Sequence, residues 1–276
     1  MDMPSVFRLM EEDLQKVERQ FEENLRSDVS LIPTMGKYVL SSGGKRMRPL
    51  ALLLAARMCG YRGERAIPLA SIVEFVHTAT LLHDDVVDNA NLRRGQRSAN
   101  EVWGNSASVL VGDFLFTKSF SLMVTDNDLQ VLKAMSDATT AMAEGEVLQL
   151  LKTCDLEISE DEYLEVVINK TAVLIAAACE IGGILGGVGE ERTAALWVPG
   201  DTSWRFFQGP SSTENATAVI VLRPSVARAL AAGYRTETPE MSGRSLSTTK
   251  IGEVLLLSRA RRPVFERRSL AVTRRR

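Results

Sequence analysis

Between residues 6 and 24 the apolar side chains fall at Val6, Leu9, Met10, Leu14, Val17 and Phe21, with charged residues filling the gaps. That is helical spacing, and it predicts an amphipathic first helix with one face against a core. Residues 29–40 read as a second helix, ended by Ser41-Ser42-Gly43-Gly44. Residues 50–58 are apolar nearly all round, which predicts a buried central helix closed by Gly60 and Gly63. Residues 67–88 carry Ile72, Val73, Phe75, Val76, Leu81 and Leu82, again at helical spacing. Residues 100–115 are small and apolar, with Gly104, Ala107 and Gly112 allowing close packing. Two further helices are predicted over 134–151 and 157–179, the latter closed by Gly182-Gly183 and Gly186-Gly187. No segment to this point sustains a period of two, and no repeat of fixed length occurs. The fold class is therefore all-α.

One stretch violates the pattern. Leu81-Leu82-His83-Asp84-Asp85-Val86-Val87-Asp88 places carboxylates where a core helix should be apolar. Asp84 and Asp88 are four apart and share a face, a like-charge spacing that costs a helix about 0.2–0.5 kcal/mol. Leu81, Leu82, Val86 and Val87 cover the other faces, so the acidic stripe is expected to line a cavity, where bare carboxylates are costlier still. A hard cation resolves the conflict. Oxygen-only ligands select a Mg²⁺-like ion, which takes few protein carboxylates and completes its shell with water and phosphate oxygens. The ligand implied is an anionic phosphate ester; a solvated helix end is the alternative reading of the aspartates on their own.

The neighbours bear on that choice. Gly43-Gly44-Lys45-Arg46-Met47-Arg48-Pro49 precedes the acidic stretch and Arg93-Arg94-Gly95 follows it, so cations bracket the carboxylates. Lys45 and Arg48 are three apart, and with Pro49 near a helix start they are expected on one face above free backbone N–H groups, an anion site in outline or a basic helix cap. His77 lies seven residues before Asp84, on nearly the same face, as a structural residue or a phosphate contact.

Composition narrows the class without choosing a partner. At 276 residues and 45% hydrophobic the chain can bury a large core, and a net charge of −2 gives no sign of nucleic acid. No run of about 18 apolar residues that would span a bilayer is read, and the start is acidic and amphipathic, unlike a signal peptide. A soluble, cytoplasmic protein is expected. Cys59, Cys154 and Cys179 are widely spaced, as reduced core thiols would be.

Six motifs occur in order: GGKRMRP (43–49), EFVHTATLLHDDVVD (74–88), RRG (93–95), VGDFLF (111–116), AEGEVLQL (143–150) and NKTA (169–172). Together they closely resemble the all-trans polyprenyl diphosphate synthases, in detail the bacterial long-chain enzymes of octaprenyl type that make quinone side chains. The resemblance runs over about residues 1–196. It implies an antiparallel helix bundle of isoprenoid-synthase type around a central cavity, a homodimer, and condensation of an allylic prenyl diphosphate with isopentenyl diphosphate. It implies that Asp84 and Asp88, with Asp85 beside them, hold Mg²⁺ bridging to the allylic diphosphate. Lys45, Arg48, His77 and Arg94 would clamp isopentenyl diphosphate, and Arg93, Lys170 and Thr171 would contact the allylic diphosphate. Product length in this family is read partly from the residues just before the acidic motif. Here these are Ala79 and Thr80, both small, which implies an open floor and a long product of about C40, lipophilic enough to pass to a membrane.

Past Leu196 the sequence changes character. The family expects a second acidic motif, FQxxDD, but Phe207-Gln208 is followed by Gly209-Pro210-Ser211-Ser212. From residue 198 there are fourteen basic against six acidic residues, a net +8, while the preceding part is −10. Five of the nine prolines fall there too. The expectation is a helical domain over 1–197 and an Arg/Ser/Pro-rich tail over 198–276, irregular and not natively folded, consistent with a lost reading frame or with a natural basic extension. With half the metal site missing the chain is expected to be inactive or severely impaired, and the apolar faces of 50–58 and 172–184 to be uncovered. A non-catalytic subunit of a heteromeric synthase and a terpene cyclase are the alternatives.

Overall fold

The computed structural model describes residues 3–153, 155–189, Thr193 and Leu196. The expected boundary at 197, the tail 198–276, the departure from the second acidic motif at 207–212, and Cys154 lie outside the described residues. Within them the chain runs α1 (Met3–Asn24), α2 (Leu31–Ser41), α3 (Met47–Met58), α4 (Ala66–Val87), β1 (Leu92–Arg93), β2 (Gln96–Arg97), α5 (Ala99–Trp103), α6 (Asn105–Asp126), α7 (Leu129–Lys152), α8 (Glu160–Val167), a π-helical turn (Ile168–Ala172) and α9 (Val173–Gly186). The bundle is all-α as the periodicity predicts, with one addition. β1 and β2 form a short antiparallel hairpin, Leu92 opposite Arg97 and Arg93 opposite Gln96, too brief for a period of two to register.

Helix α4 is the axis of the bundle and packs against α1, α3, α6 and α9. α1 gives it the stripe Val6, Met10, Val17 and Phe21, all buried, while Leu9 points to solvent. The buried side chains form two clusters. One joins α1, α3, α4, α7 and α9 through Met10, Leu52, Val73, Met135, Leu174 and Ile181. The other lies toward α2 and α6, around Phe21, Leu25, Met35, Phe75, Ala79, Leu82 and Leu115. Each fully buried large side chain contributes about 1.5–3 kcal/mol. Phe116 packs against both clusters.

Several expected elements differ in detail, each for a local reason. Lys45 is not helical: α3 begins at Met47, behind Arg46 in the left-handed region (φ 48°), so Lys45 and Arg48 do not share a helical face. The segment 100–115 breaks at Gly104 (φ 85°), which separates α5 from α6. The segment 157–179 begins at the Ser159–Glu162 capping box and is interrupted by the π turn. Gly182 does not close α9 but lies within it, where a methyl group would sit 2.5 Å from Ala55 Cβ and 2.6 Å from the Ala56 nitrogen; the close approach of α3 and α9 requires it. Gly187 (φ 60°) is the left-handed cap that ends α9.

One expectation about apolar surface is corrected. Helices α3 and α9 cover one another, so Leu50, Leu52, Leu53, Leu174 and Ile181 are buried. Exposed apolar side chains gather instead on the last turns of α7 (Val147, Leu150, Leu151), in the following loop (Leu156) and on α8 (Tyr163, Leu164), with others on α6 (Leu110, Val124). In addition α4 and α6 are long and apolar enough, by length and composition, to cross a membrane; 67% of that window in α4 is buried within the bundle and 33% in α6. Their small residues raise mean hydropathy without forming an unbroken apolar run.

Candidate functional site

The last three turns of α4, the start of α6, the end of α7 and the π turn enclose a cavity of 570 Å³, within the roughly 300–1,000 Å³ range of small-molecule sites. Its polar members are Arg48, His77, His83, Asp84, Asp113, Glu146, Lys170 and Thr171, and its apolar members include Val76, Leu81, Phe116, Met142 and Val147. Of the residues the sequence singles out, the fold brings Arg48, His77, Asp84, Lys170 and Thr171 into this lining, together with Thr80. Leu81 and Val87 also line it, so the acidic face is not separated from the apolar one.

The three aspartates have three different surroundings. Asp84 is half-buried in the cavity, and its carboxyl is pushed up to about 6, first by burial and further by Glu146 and Asp88, against the pull of Lys170 and Arg93. Asp85 is buried and turned away, its carboxylate held by Arg93 at 2.7, 2.8 and 3.0 Å. Asp88 caps α4, exposed, with its backbone N–H bonded to the Asp84 carbonyl at 2.8 Å.

The cations gather around one buried carboxylate that sequence reading missed. Glu74 is 6% exposed and accepts from Arg46 Nη1 at 3.3 Å. Arg46 also donates to Glu18 at 3.2 Å and to the Leu40 carbonyl at 3.0 Å, tying α1, α2 and α4 together. Arg94, at the hairpin tip with φ 51°, approaches the same spot: a methyl group on Gly44 would lie 2.8 Å from Arg46 Nη1 and 2.9 Å from Arg94 Nη1. Arg48 Nε is buried without a hydrogen-bond partner. Burial holds the Arg48 guanidinium below its ordinary value and the Glu74 carboxyl above it, and the neighbouring guanidiniums oppose the latter. His77 is held well below 6.5 by burial and then by Arg48, Arg94, Arg93 and Arg46, so it is neutral at pH 7. Lys45 is exposed beside this cluster, outside the cavity lining.

On the opposite wall Lys170 is paired with Glu146 at 2.7 Å. The π turn presents Lys170 and Thr171, and π turns recur at functional sites. Gly145 makes room for it, since a methyl group there would sit 2.7 Å from Asn169 Cβ and 2.9 Å from the Lys170 nitrogen. His83 Nε2 lies 3.2 Å from both the Val109 carbonyl and Asp113 Oδ1, over Gly112. Glu74, Glu146 and Asp113 were legible only as acids inside otherwise apolar helices. Arg46 was hidden between the two cations of its own motif.

A sequence profile of the Polyprenyl synthetase family matches residues 29–208. The chain belongs to that family. Among its polyprenyl synthetase relatives, the octaprenyl diphosphate synthase of Escherichia coli (strain K12) is 46% identical over 196 residues, covering 71% of this chain and 61% of that protein. The crystal structure of a decaprenyl diphosphate synthase from Rhodobacter capsulatus superposes with a TM-score of 0.68 at 45% identity, over 70% of this chain and 60% of that one. A polyprenyl synthase from Caulobacter crescentus CB15, complexed with calcium and isoprenyl diphosphate, gives 0.67 at 46% identity, over 69% and 58%. The chain thus spans about three fifths of the length of these polyprenyl synthetases, and the fold is of isoprenoid-synthase type as the resemblance implies.

Proposed function

We propose that this chain is a trans-prenyltransferase that joins an allylic prenyl diphosphate to isopentenyl diphosphate, making a long-chain polyprenyl diphosphate of the quinone side-chain type. The observation that carries the reading is the buried, unpartnered Arg48 Nε, set with Arg46 and Arg94 around the buried carboxylate of Glu74. A buried donor without a partner costs about 1–3 kcal/mol, and a diphosphate oxygen would satisfy it. Arg48, Arg94 and neutral His77, with Lys45 at the rim, form the isopentenyl diphosphate side. Lys170 and Thr171 face the allylic diphosphate, and Arg93 acts there through its hold on Asp85.

The donor set fits a divalent ion. Asp84 is a half-buried carboxylate in the cavity lining, and the nearby Lys170 is already committed to Glu146. Asp84 and Asp88 would hold Mg²⁺, which supplies charge neutralisation for the leaving diphosphate. The chain's own residues do the rest. Ionisation of the allylic carbon–oxygen bond leaves a carbocation and a diphosphate anion, so Lys170 and Thr171 act by stabilising charge on the departing oxygens, while Arg48 and Arg94 hold the isopentenyl diphosphate that attacks the cation. The apolar lining of Val76, Phe116 and Met142 keeps water from the cation. A terpene cyclase would have no use for the second cationic cluster around Arg48 and Arg94.

The same reading includes a cytoplasmic homodimer. The exposed Leu110 and Val124 on α6 support a contact face. The deciding experiment is calorimetry with farnesyl diphosphate and Mg²⁺. Binding that depends on the metal is expected, and Asp84→Ala or Asp88→Ala should abolish it at unchanged helix content. Undiminished metal-dependent binding in both variants would sink the assignment.

A further inference from the structure

Among the described residues that line the cavity, the carboxylates are Asp84, Asp113 and Glu146 and the permanent cations are Arg48 and Lys170. Arg48 belongs to the cluster around Glu74, and Arg93 is bonded to Asp85, so Lys170 is what remains to meet a diphosphate beside Asp84. It is already engaged. Its Nζ lies 2.7 Å from Glu146 Oε1 and 3.0 Å from Oε2, and the two side chains are only 24% and 29% exposed. The backbone on either side of the pair is fixed, because Gly145 packs against Asn169 and the Lys170 nitrogen at the π turn. What can move is the flexible four-carbon stem of Lys170. Both partners act on Asp84: after burial, Lys170 lowers and Glu146 raises its carboxyl pKa. The three groups share one field, two carboxylates around one ammonium.

We infer that Glu146 holds Lys170 in reserve, releasing it to a diphosphate only when a divalent ion balances the carboxylate left behind. The inference rests on the prenyltransferase reading and adds to it a residue that makes diphosphate affinity conditional on the metal. Without an ion, a diphosphate that draws Lys170 away leaves Glu146 partly buried and unpaired, alongside Asp84 and the incoming negative charge. A desolvated carboxylate without a partner is costly, so Glu146 keeps the ammonium and the diphosphate is refused. With the charge at Asp84 and Asp88 compensated, the same displacement no longer strands a carboxylate. Glu146 is thus a positioning residue that acts through Lys170, and the close packing at Gly145 keeps the two within reach.

The test uses the full chain with inorganic pyrophosphate and farnesyl diphosphate as probes, each titrated by calorimetry with Mg²⁺ and with a chelator in its place. The readout is the ratio of the two affinities. Association of the probe with Mg²⁺ in solution is common to all variants and cancels when their ratios are compared. Glu146→Gln, which keeps the shape and removes the charge, should raise metal-free affinity about tenfold and lower the ratio by a similar factor, a coupling of ordinary size. Glu146→Asp keeps the charge and should hold the ratio closer to that of the unaltered protein. Glu146→Ala should give the same drop as the amide, should the amide variant fold poorly. In a Lys170→Gln chain the metal-free gain from Glu146→Gln should disappear; a gain that persists there belongs to simple repulsion or to the Arg48 cluster, and overturns the inference. An equal change of affinity with and without Mg²⁺ in both neutral variants also overturns it, marking Glu146 as a support for Lys170 alone, and leaves the prenyltransferase reading in place. Failure of the unaltered protein to bind either probe with Mg²⁺ overturns both.

Discussion

Arg93 grips Asp85 with two nitrogens of its guanidinium, Nη2 at 2.7 Å and Nε at 2.8 and 3.0 Å, while Asp84, the preceding residue, has no such partner and faces the cavity. Adjacent aspartates in one motif are thus divided between structure and chemistry. Breaking a buried pair leaves a desolvated charge and costs about 3–5 kcal/mol. Asp85→Ala should therefore lower unfolding stability in urea by about 3 kcal/mol, whereas Asp84→Ala should change it little and remove metal-dependent diphosphate binding instead. Equal stability losses in the two variants would contradict this division.

Ala79→Phe should act on the core rather than on the cavity, which Ala79 does not line. With no exposed surface at Ala79, a ring there has to displace Phe75 or Leu115 in the second cluster, an overpacking that typically costs about 1–3 kcal/mol and sometimes more. Thermal unfolding should show the loss, and the chain-length preference of bound prenyl diphosphates should stay as it was.

Gly145→Ala should weaken ligand binding from a distance. The added methyl group would meet backbone at the π turn, 2.9 Å from the Lys170 nitrogen, so the turn has to shift and carry Lys170 with it. A lower melting temperature together with at least tenfold weaker farnesyl diphosphate binding is expected; a shift in one without the other would show that the turn and the lysine are not coupled.

His77 makes stability depend on pH in a defined direction. Above its ordinary value of 6.5 the imidazole is neutral in both states. Between 6.5 and its lower folded value only the unfolded chain takes the proton, so stability falls as pH falls through that window. Urea midpoints at pH 7.5 and 5.5 should differ, and His77→Gln should narrow the difference. Arg46, Arg48, Arg93 and Arg94 stay charged in this range; Asp84, raised to about 6, contributes with the opposite sign, and comparison with His77→Gln separates the two.

Turnover is the hardest requirement. With labelled isopentenyl diphosphate, an allylic primer and Mg²⁺, the chain is expected to turn over slowly or not at all, because Gly209-Pro210-Ser211-Ser212 stands where a second acidic cluster would be. Removal of one well-placed charge-stabilising group costs about 10²–10³ in rate. Turnover equal to that of a chain in which FQxxDD is restored would refute the expectation.

Much of this was legible in the chain itself. The helical period of α1 reported the bundle, because it buries a stripe spaced at three and four residues, and the apolar content of α4 reported a central helix buried nearly all round. The cavity lining at Arg48, His77 and Asp84 was marked by polar groups that had no place in a core, and that at Lys170 and Thr171 by the family resemblance. What did not follow were features set by tertiary distance. Nothing local distinguishes Asp85 from Asp84; only the hairpin that brings Arg93 back does. Glu74 reads as one polar residue on an apolar helix until Arg46, Arg48 and Arg94 close around it. Ala79 and Thr80 are neighbours of similar size, and a helical rotation of about 100° sends one into the core and the other to the cavity.

Arg46 has a consequence for the order of assembly. Its side chain fastens Glu18, the Leu40 carbonyl and Glu74 together, and Arg94 joins them from the hairpin. All of these groups are drawn from the first hundred residues. During synthesis, then, the cationic half of the pocket has every side chain it needs while α7 and the π turn, with Glu146 and Lys170, are still to be translated. At that point the wall that α7 and the π turn supply is absent, and the cationic half stands open to water.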